Sequence, residues 1–120
     1  MKVLLTPNDF GVYPDDAAER LTLVSNKPGN HRLNAEICLL EVPGKGWLHS
    51  VFYTYEEGSG AYGLSETHSG FASSRAEARG WAVSRLSGKN WPDTPQIRRI
   101  LAWLKTMENP VQPDLFAGAA

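Results

Sequence analysis

The side chains that most often bind metals or act as nucleophiles are few and widely separated in this sequence. His31, His49 and His68 are far apart, and no pair among them and the lone Cys38 has the spacing of a zinc site. Cys38 stands in the apolar run 37–40, where a thiol is a small buried hydrophobe rather than a nucleophile. No serine stands in a nucleophile-elbow motif. The sequence therefore predicts a protein that is not an enzyme and has no metal or cofactor, with His49 as a hydrogen-bonded core or surface residue.

A glycine-rich segment has the spacing of a nucleotide-binding loop but the wrong surroundings. Gly58, Gly60 and Gly63 match the dinucleotide fingerprint, which works only where a strand leads directly into a helix. Here an alternating run follows, which favours a strand. We interpret the segment as a hairpin turn in which Glu56 and Glu57 face water.

The charge of the chain is unevenly distributed. The formal net charge is −1, yet residues 75–105 hold seven basic and two acidic side chains. A basic patch of this kind can attract nucleic acid, although a solvated helix face balancing an acidic sheet is the alternative. The candidate nucleic-acid contacts are Arg75, Arg79, Arg85, Arg98 and Arg99.

The alternation of apolar residues predicts an antiparallel sheet in the first two thirds of the chain. We expect strands at Val3–Leu5, 20–25, Glu36–Val42, Trp47–Glu56 and Gly60–His68, separated by segments rich in turn-forming residues. The run 37–40 is apolar on both faces and predicts a central strand. In the strand that starts at Trp47, one face is predominantly aromatic and the other carries Phe52. The residues that share the aromatic face are Trp47, His49, Val51, Tyr53 and Tyr55.

Two helices are predicted near the C-terminus. Ser74 and Glu77 have the spacing of a capping box, and Ala78, Trp81, Ala82 and Leu86 then fall on one face, with Gly80 marking close packing against the sheet. Gly88 ends this helix. Thr94 and Pro95 open the second helix, whose apolar stripe is Ile97, Ile100, Leu101, Leu104 and Met107.

Length and composition limit the architecture. A chain of 120 residues with 42% hydrophobic residues can bury one core of ordinary size. We expect one α+β domain over residues 1–109, with an antiparallel meandering sheet of four or five strands and two C-terminal helices packed on one face, and a flexible tail over residues 110–120. The apolar run after Lys2 is too short for a signal peptide or membrane span, which predicts a cytoplasmic protein that does not bind membranes.

The start of the first predicted helix resembles that of a known nucleic-acid-binding domain. The segment Ser74–Arg79, which opens a helix after three strands, resembles the phosphate-contacting start of the last helix in double-stranded-RNA-binding domains. The resemblance implies that Arg75 and Arg79 contact the nucleic-acid backbone while Ala78 and Ala82 pack inward. The sequence departs from that family at Ala76 and Gly80, in its stranded N-terminal part and in its additional C-terminal helix.

The tail carries a short motif with a second resemblance. Gln112-Pro113-Asp114-Leu115-Phe116 is similar to the peptide by which bacterial polymerases and repair factors bind the sliding clamp. The resemblance implies that the amide of Gln112 is hydrogen-bonded in the clamp pocket and that Leu115 and Phe116 fill its apolar part. Asp114 stands where Asp or Ser is usual. The alternative is that Leu115 and Phe116 pack on the protein's own core.

Three functions follow as hypotheses. The first is a non-catalytic accessory or regulatory protein of bacterial or phage DNA metabolism that binds the sliding clamp through Gln112, Asp114, Leu115 and Phe116. The second is direct nucleic-acid binding by the basic helical face. The third is a small phage or mobile-element protein that inhibits a host protein through an exposed aromatic surface.

Overall fold

The described residues form a four-stranded antiparallel sheet that carries helices on one face. The computed structural model describes residues 6–9, 11–24 and 33–108. The strands lie side by side in chain order: β1 Glu19–Val24, β2 Leu33–Val42, β3 Gly46–Tyr55 and β4 Gly58–Ala61. The helices are α1 Glu66–Ser69, α2 Arg75–Ser87 and α3 Pro95–Glu108. The α+β meander with two C-terminal helices is confirmed, while the predicted strand Val3–Leu5 lies outside the described residues.

Strand β2 is central and is covered on both faces. Ile37 pairs with Val51 of β3, and these two side chains and Leu39 are buried on the face that α2 and α3 cover. Cys38 and Leu40 are buried on the opposite face. The prediction that the run 37–40 forms a central strand is therefore confirmed.

The larger core lies between the sheet and the two long helices. Burial of each aliphatic side chain contributes about 1.5–3 kcal/mol, so this layer holds α2 and α3 on the sheet. Its buried residues are Ala35, Ile37, Leu39 and Val51 from the sheet, Ala72 before α2, and Ala78, Ala82, Val83, Leu86, Ile97, Ile100 and Leu104 from the helices.

A smaller core covers the other face of the sheet. The segment before β1 crosses this face, and the N–H of Tyr13 donates to the carbonyl of Leu64 at 2.8 Å. Tyr13 and Leu64 then pack with Cys38, Leu40 and Leu48. This second layer explains how an apolar central strand avoids exposing one of its faces to water.

The strand predicted over Gly60–His68 is wrong beyond its first residues. β4 ends at Ala61, and the chain enters the short helix α1 after Ser65. The hydroxyl of Ser65 accepts a hydrogen bond from the backbone N–H of His68 at 3.2 Å, so Ser65 is the N-cap. Alternation beyond Ala61 predicted a strand, but this local capping bond favours the helical turn.

Helix α2 begins as predicted, although only half of the capping box forms. The hydroxyl of Ser74 accepts from the N–H of Glu77 at 3.1 Å. The Glu77 carboxylate accepts from the N–H and the hydroxyl of Ser73, at 2.7 and 2.9 Å, rather than from Ser74. These two bonds lower the pKa of Glu77. At the other end, the N–H of Gly88 donates to the carbonyl of Ser84, which confirms Gly88 as the C-cap.

Two residues predicted to pack against the sheet face solvent instead. A Cβ atom at Gly80 would meet no heavy atom within 4 Å, and Trp81 is 40% exposed. The inward-facing residues Ala78 and Ala82 are fully buried, as predicted. Because neighbouring helical residues are about 100° apart, a core face centred on Ala82 leaves Trp81 at its edge and Gly80 on the outer side.

Helix α3 is capped by its own threonine and by the hairpin between β3 and β4. The hydroxyl of Thr94 accepts from the N–H of Ile97 at 3.3 Å, as the predicted N-cap requires. Glu56, predicted to face water, is exposed but also accepts from the Thr94 hydroxyl and the Gln96 N–H. The predicted apolar stripe is confirmed, with Ile97, Ile100 and Leu104 buried and Leu101 and Met107 half-buried.

Candidate binding surfaces on the helical side

The five arginines predicted to contact nucleic acid lie in α2 and α3, and the fold uses most of them for its own contacts. Arg75 forms a two-point ion pair with Glu19 of β1, with Nε–Oε1 and Nη2–Oε2 distances of 2.6 and 2.5 Å. The hydrogen bonds from Arg75 lower the pKa of Glu19 and the same contact raises the pKa of Arg75. Arg75 therefore holds the start of α2 against the edge of the sheet.

The two arginines of α3 are also engaged within the chain. Arg98 pairs with Asp93 at 2.7 Å, in a contact exposed to solvent. Arg99 donates to the side-chain oxygen of Asn34 at 2.6 Å and to the carbonyl of Val24 at 3.0 Å. Since Asn34 is buried, Arg99 fastens α3 to β1 and β2 and is not available as a surface cation.

Arg79 differs from the other four. It forms no hydrogen bond or ion pair with another side chain in the described part of the chain, although its charge lowers the pKa of Glu19 at a distance. Arg79 lines a hollow of about 230 Å³ between α2 and the last turn of α3, beside Gly80, Val83 and Met107. No side chain of the described residues therefore neutralises its guanidinium group by direct contact.

Arg85 lies on the other side of α2 with its orientation fixed. Its Nε donates to Nε2 of His49 at 3.3 Å, and one terminal nitrogen donates to the carbonyl of His68. Its guanidinium also lies over the ring of Tyr62, 5.1 Å from the centroid, in a cation–π contact. These contacts hold the Arg85 cation at the surface in one position.

His49 and Ser69 form a buried pair beneath Arg85. Because Arg85 donates to Nε2 of His49, the proton of the neutral imidazole is assigned to Nδ1, which donates to the Ser69 hydroxyl at 3.1 Å. That hydroxyl also accepts from the N–H of His49 and donates to the carbonyl of Gly70. Burial, reinforced by the charge of Arg85, lowers the pKa of His49 to about 4.

This arrangement does not activate Ser69 as a nucleophile. A general base must accept the serine proton, whereas Nδ1 of His49 donates toward the hydroxyl. The predicted role of His49 as a hydrogen-bonded core histidine is confirmed, since His49 is 2% exposed and both of its ring nitrogens have hydrogen-bond partners. Ser69 is a structural partner that the sequence did not reveal, because its link to His49 spans 20 residues.

A second hollow opens above the histidine–serine pair. It has a volume of about 420 Å³ and is lined by His49, Ser69, Trp81, Ser84 and Arg85. Trp81 was assigned to the core from the sequence, so its place at a surface hollow was missed. The spacing of four residues between Trp81 and Arg85 is the signal that places both on one side of a helix.

The opposite face of the sheet has a cleft of about 370 Å³ beside the small core. Its floor includes Glu36 and Cys38, and Arg20 pairs with Glu36 at 3.0 Å and with Asp15 at 3.0 Å. Burial raises the pKa of the Cys38 thiol, which keeps the thiol protonated and unreactive at neutral pH. Both carboxylates of this cleft thus share one cation, Arg20.

The aromatic face of β3, considered above as a protein-binding surface, is largely covered. Trp91, in the connection between α2 and α3, packs edge-on against Tyr53 and Tyr55, with ring centroids 4.8 and 5.7 Å apart. The ammonium of Lys89 lies 5.2 Å from the ring centroid of Tyr53. The tyrosines of this face therefore serve the packing of the α2–α3 connection.

The predicted clamp-binding residues Gln112, Asp114, Leu115 and Phe116 lie outside the described residues. Helix α3 runs to Glu108, so the motif begins four residues after the last described one.

Among the described residues, no group of three or more His, Cys, Asp or Glu side chains could hold a metal ion. No helix in the same part of the chain has the length and apolar character needed to cross a membrane.

The fold and the surfaces above define a small α+β protein whose helical side carries two hollows, one on each side of α2. No protein-family model, curated protein or solved structure matches the chain.

Proposed function

We propose that this is a non-catalytic accessory or regulatory protein of bacterial or phage DNA metabolism that binds the sliding clamp through residues 112–116. The observation that carries the proposal is the sequence Gln112-Pro113-Asp114-Leu115-Phe116, which has an amide, an acidic residue and an adjacent Leu-Phe pair in the order of clamp-binding peptides. Its position in the sequence supports the proposal, because the motif begins four residues after the last residue of α3.

The chemistry of the motif suits docking of an extended peptide. Leu115 and Phe116 supply two apolar anchors, and such anchors contribute most of the free energy of small interfaces. Gln112 supplies both a donor and an acceptor from one amide. Pro110 and Pro113 restrict the backbone around the motif, which reduces the conformational entropy lost on binding.

The test is the affinity of the full chain for a purified bacterial sliding clamp, measured by calorimetry or surface plasmon resonance. We expect a dissociation constant on the order of micromolar or tighter. Replacing Leu115 and Phe116 together by alanine should weaken binding by about 30-fold or more, because the loss of one buried anchor alone costs about 2 kcal/mol or more.

Val111→Ala is the matched control, since it shortens an apolar side chain just before the motif without touching the three anchors. It should bind like the parent chain. If the double variant L115A/F116A binds the clamp as tightly as the parent, the motif is not the binding element and the proposal is wrong.

A second candidate function is nucleic-acid binding by the helical side. It is supported by the excess of basic residues in 75–105 and by Arg79, whose guanidinium has no intramolecular partner among the described residues. The affinity should fall steeply as the salt concentration rises. Binding releases counterions from the phosphates, and added salt makes that release less favourable. Charge reversal at Arg79 should weaken binding further, and a response that is flat with salt would exclude this function.

A further inference from the structure

The outer side of α2 carries a tryptophan that the core does not use. Trp81 is 40% exposed, while Ala78, Ala82 and Leu86 of the same helix are fully buried against the sheet. Full burial of a large apolar side chain contributes about 1.5–3 kcal/mol to stability. Because Trp81 is only partly buried, it contributes less than this to the stability of the fold. One edge of the ring lies near Gly70, 3.7 Å from the position of a Cβ atom there. The exposed part of the ring is available to a partner.

Arg79 and Arg85 lie on the two sides of the outer surface of α2, and Trp81 lies on the same side as Arg85. Arg79 lines the hollow on the α3 side of α2, and Arg85 lines the hollow that also contains Trp81. Ser84 lines both hollows, so the two hollows adjoin at this residue on the outer side of the helix. Arg79 and Arg85 are six residues apart, which separates them by about 9 Å along the helix axis.

The surface of α2 between the two arginines carries only small side chains at its outward positions. Its outward positions are Ala76, Gly80 and Ser84, whose side chains are absent or small, and Gly80 has open space where a Cβ atom would stand. Glu77 is the acidic residue on this side, and its carboxylate is held at the start of the helix by Ser73. A chain-like ligand can therefore cross α2 from Arg79 to Trp81 and Arg85 without meeting a bulky side chain.

We propose that this outer side of α2 binds single-stranded nucleic acid, with a base stacked on Trp81 and backbone phosphates bound by Arg79 and Arg85. The inference deepens the second candidate function above, and it rests on that function. Single strands expose the faces of their bases, and an aromatic side chain beside cations is the combination that binds them without sequence preference. The Arg85 guanidinium is already oriented by His49 and His68, so binding a phosphate there orders little that was mobile.

The test is fluorescence anisotropy of a labelled oligodeoxythymidine titrated with the full chain at low salt. Trp81→Leu should weaken binding by roughly 5- to 150-fold, the range for loss of one base–aromatic stack. Trp81→Phe keeps an aromatic ring and should retain most of the affinity. Because Trp81 is outside the core, both variants should melt close to the parent temperature, which separates loss of stacking from loss of fold.

Charge reversal at two arginines locates the surface. Arg79→Glu should weaken binding more than Arg98→Glu, which makes the same change on α3 at a residue paired with Asp93. A duplex of the same length should bind more weakly than the single strand, because its bases are already stacked.

The outcomes are distinguishable. Equal losses for Arg79→Glu and Arg98→Glu, or equal affinities of Trp81→Leu and the parent, would overturn the proposed surface while leaving general binding by the basic side intact. If neither strand form binds at low salt, the second candidate function fails and the inference fails with it.

Discussion

The buried imidazole of His49 makes stability depend on pH in a range where few other groups titrate. Its pKa is about 4 in the folded chain against an ordinary value of 6.5, because it is buried and faces the guanidinium of Arg85. The unfolded chain therefore binds a proton at His49 below about pH 6.5, while the folded chain stays neutral there until about pH 4. Since the unfolded state binds more protons in this interval, stability must fall as the pH is lowered through it.

The size of the effect follows from the two pKa values. Their full difference corresponds to about 3 kcal/mol, of which about 2 kcal/mol is lost between about pH 7.5 and about pH 5. Stopping at about pH 5 avoids most of the contribution from Glu19 and Glu77. The pKa values of these two carboxyl groups are lowered in the folded chain, so their stabilisation is lost mainly below about pH 4.5.

The assay is urea denaturation followed by tryptophan fluorescence at a series of pH values in this interval. His49→Gln removes the titrating group while keeping an amide oxygen that can accept a hydrogen bond from Arg85. The variant should be less stable at about pH 7.5, because it loses the bond to Ser69, but it should lose much less stability as the pH falls. If His49→Gln loses as much stability as the parent between the two pH values, the assignment of the effect to His49 is wrong.

Three further expectations test the packing directly. Gly80→Ala should raise the free energy of unfolding by about 1 kcal/mol, because the site is helical and a methyl group there meets no atom within 4 Å; an unchanged or lower denaturation midpoint would contradict this. Gly46→Ala should lower it by about 2 kcal/mol or more, because the backbone has φ +129° and the new Cβ would lie 2.5 Å from the carbonyl oxygen of Ala72; a denaturation midpoint equal to the parent's would refute it. The Cys38 thiol, 4% exposed and with its pKa raised by burial, should react with a thiol reagent only as fast as the chain unfolds, and rapid labelling in the folded state would show that the thiol is accessible.

Local patterns in the sequence were enough to predict most of the sheet and both long helices. The apolar run 37–40 predicts a central strand because a strand with two covered faces needs apolar residues at every position. Thr94 and Pro95 predict the start of α3 because the hydrogen bond of an N-cap spans only three residues. The patterns that define these elements involve residues close together in the sequence, so the elements can be predicted without knowledge of the fold.

The errors occur where a contact from elsewhere in the fold decides the outcome. Trp81 was placed on the inner face because helical spacing alone cannot tell where the edge of that face lies. The assignment of arginines to a nucleic-acid surface could not anticipate that Arg75 reaches a carboxylate 56 residues away, or that Arg99 reaches a buried asparagine 65 residues away. Counting basic residues along the chain therefore overstates the number of cations available to a ligand.

The distribution of these contacts also separates the two proposed interactions. Arg75 and Arg99 are fixed to the sheet, and of the five predicted arginines Arg79 and Arg85 are the two that line the hollows on the outer side of α2. Clamp binding relies instead on residues 112–116, which follow the last residue of α3. A chain that ends after Pro110 should therefore lose clamp binding and keep its affinity for single strands, because none of the residues in the α2 surface is removed. Loss of both activities on this truncation would mean that the tail and the outer side of α2 form one binding surface rather than two.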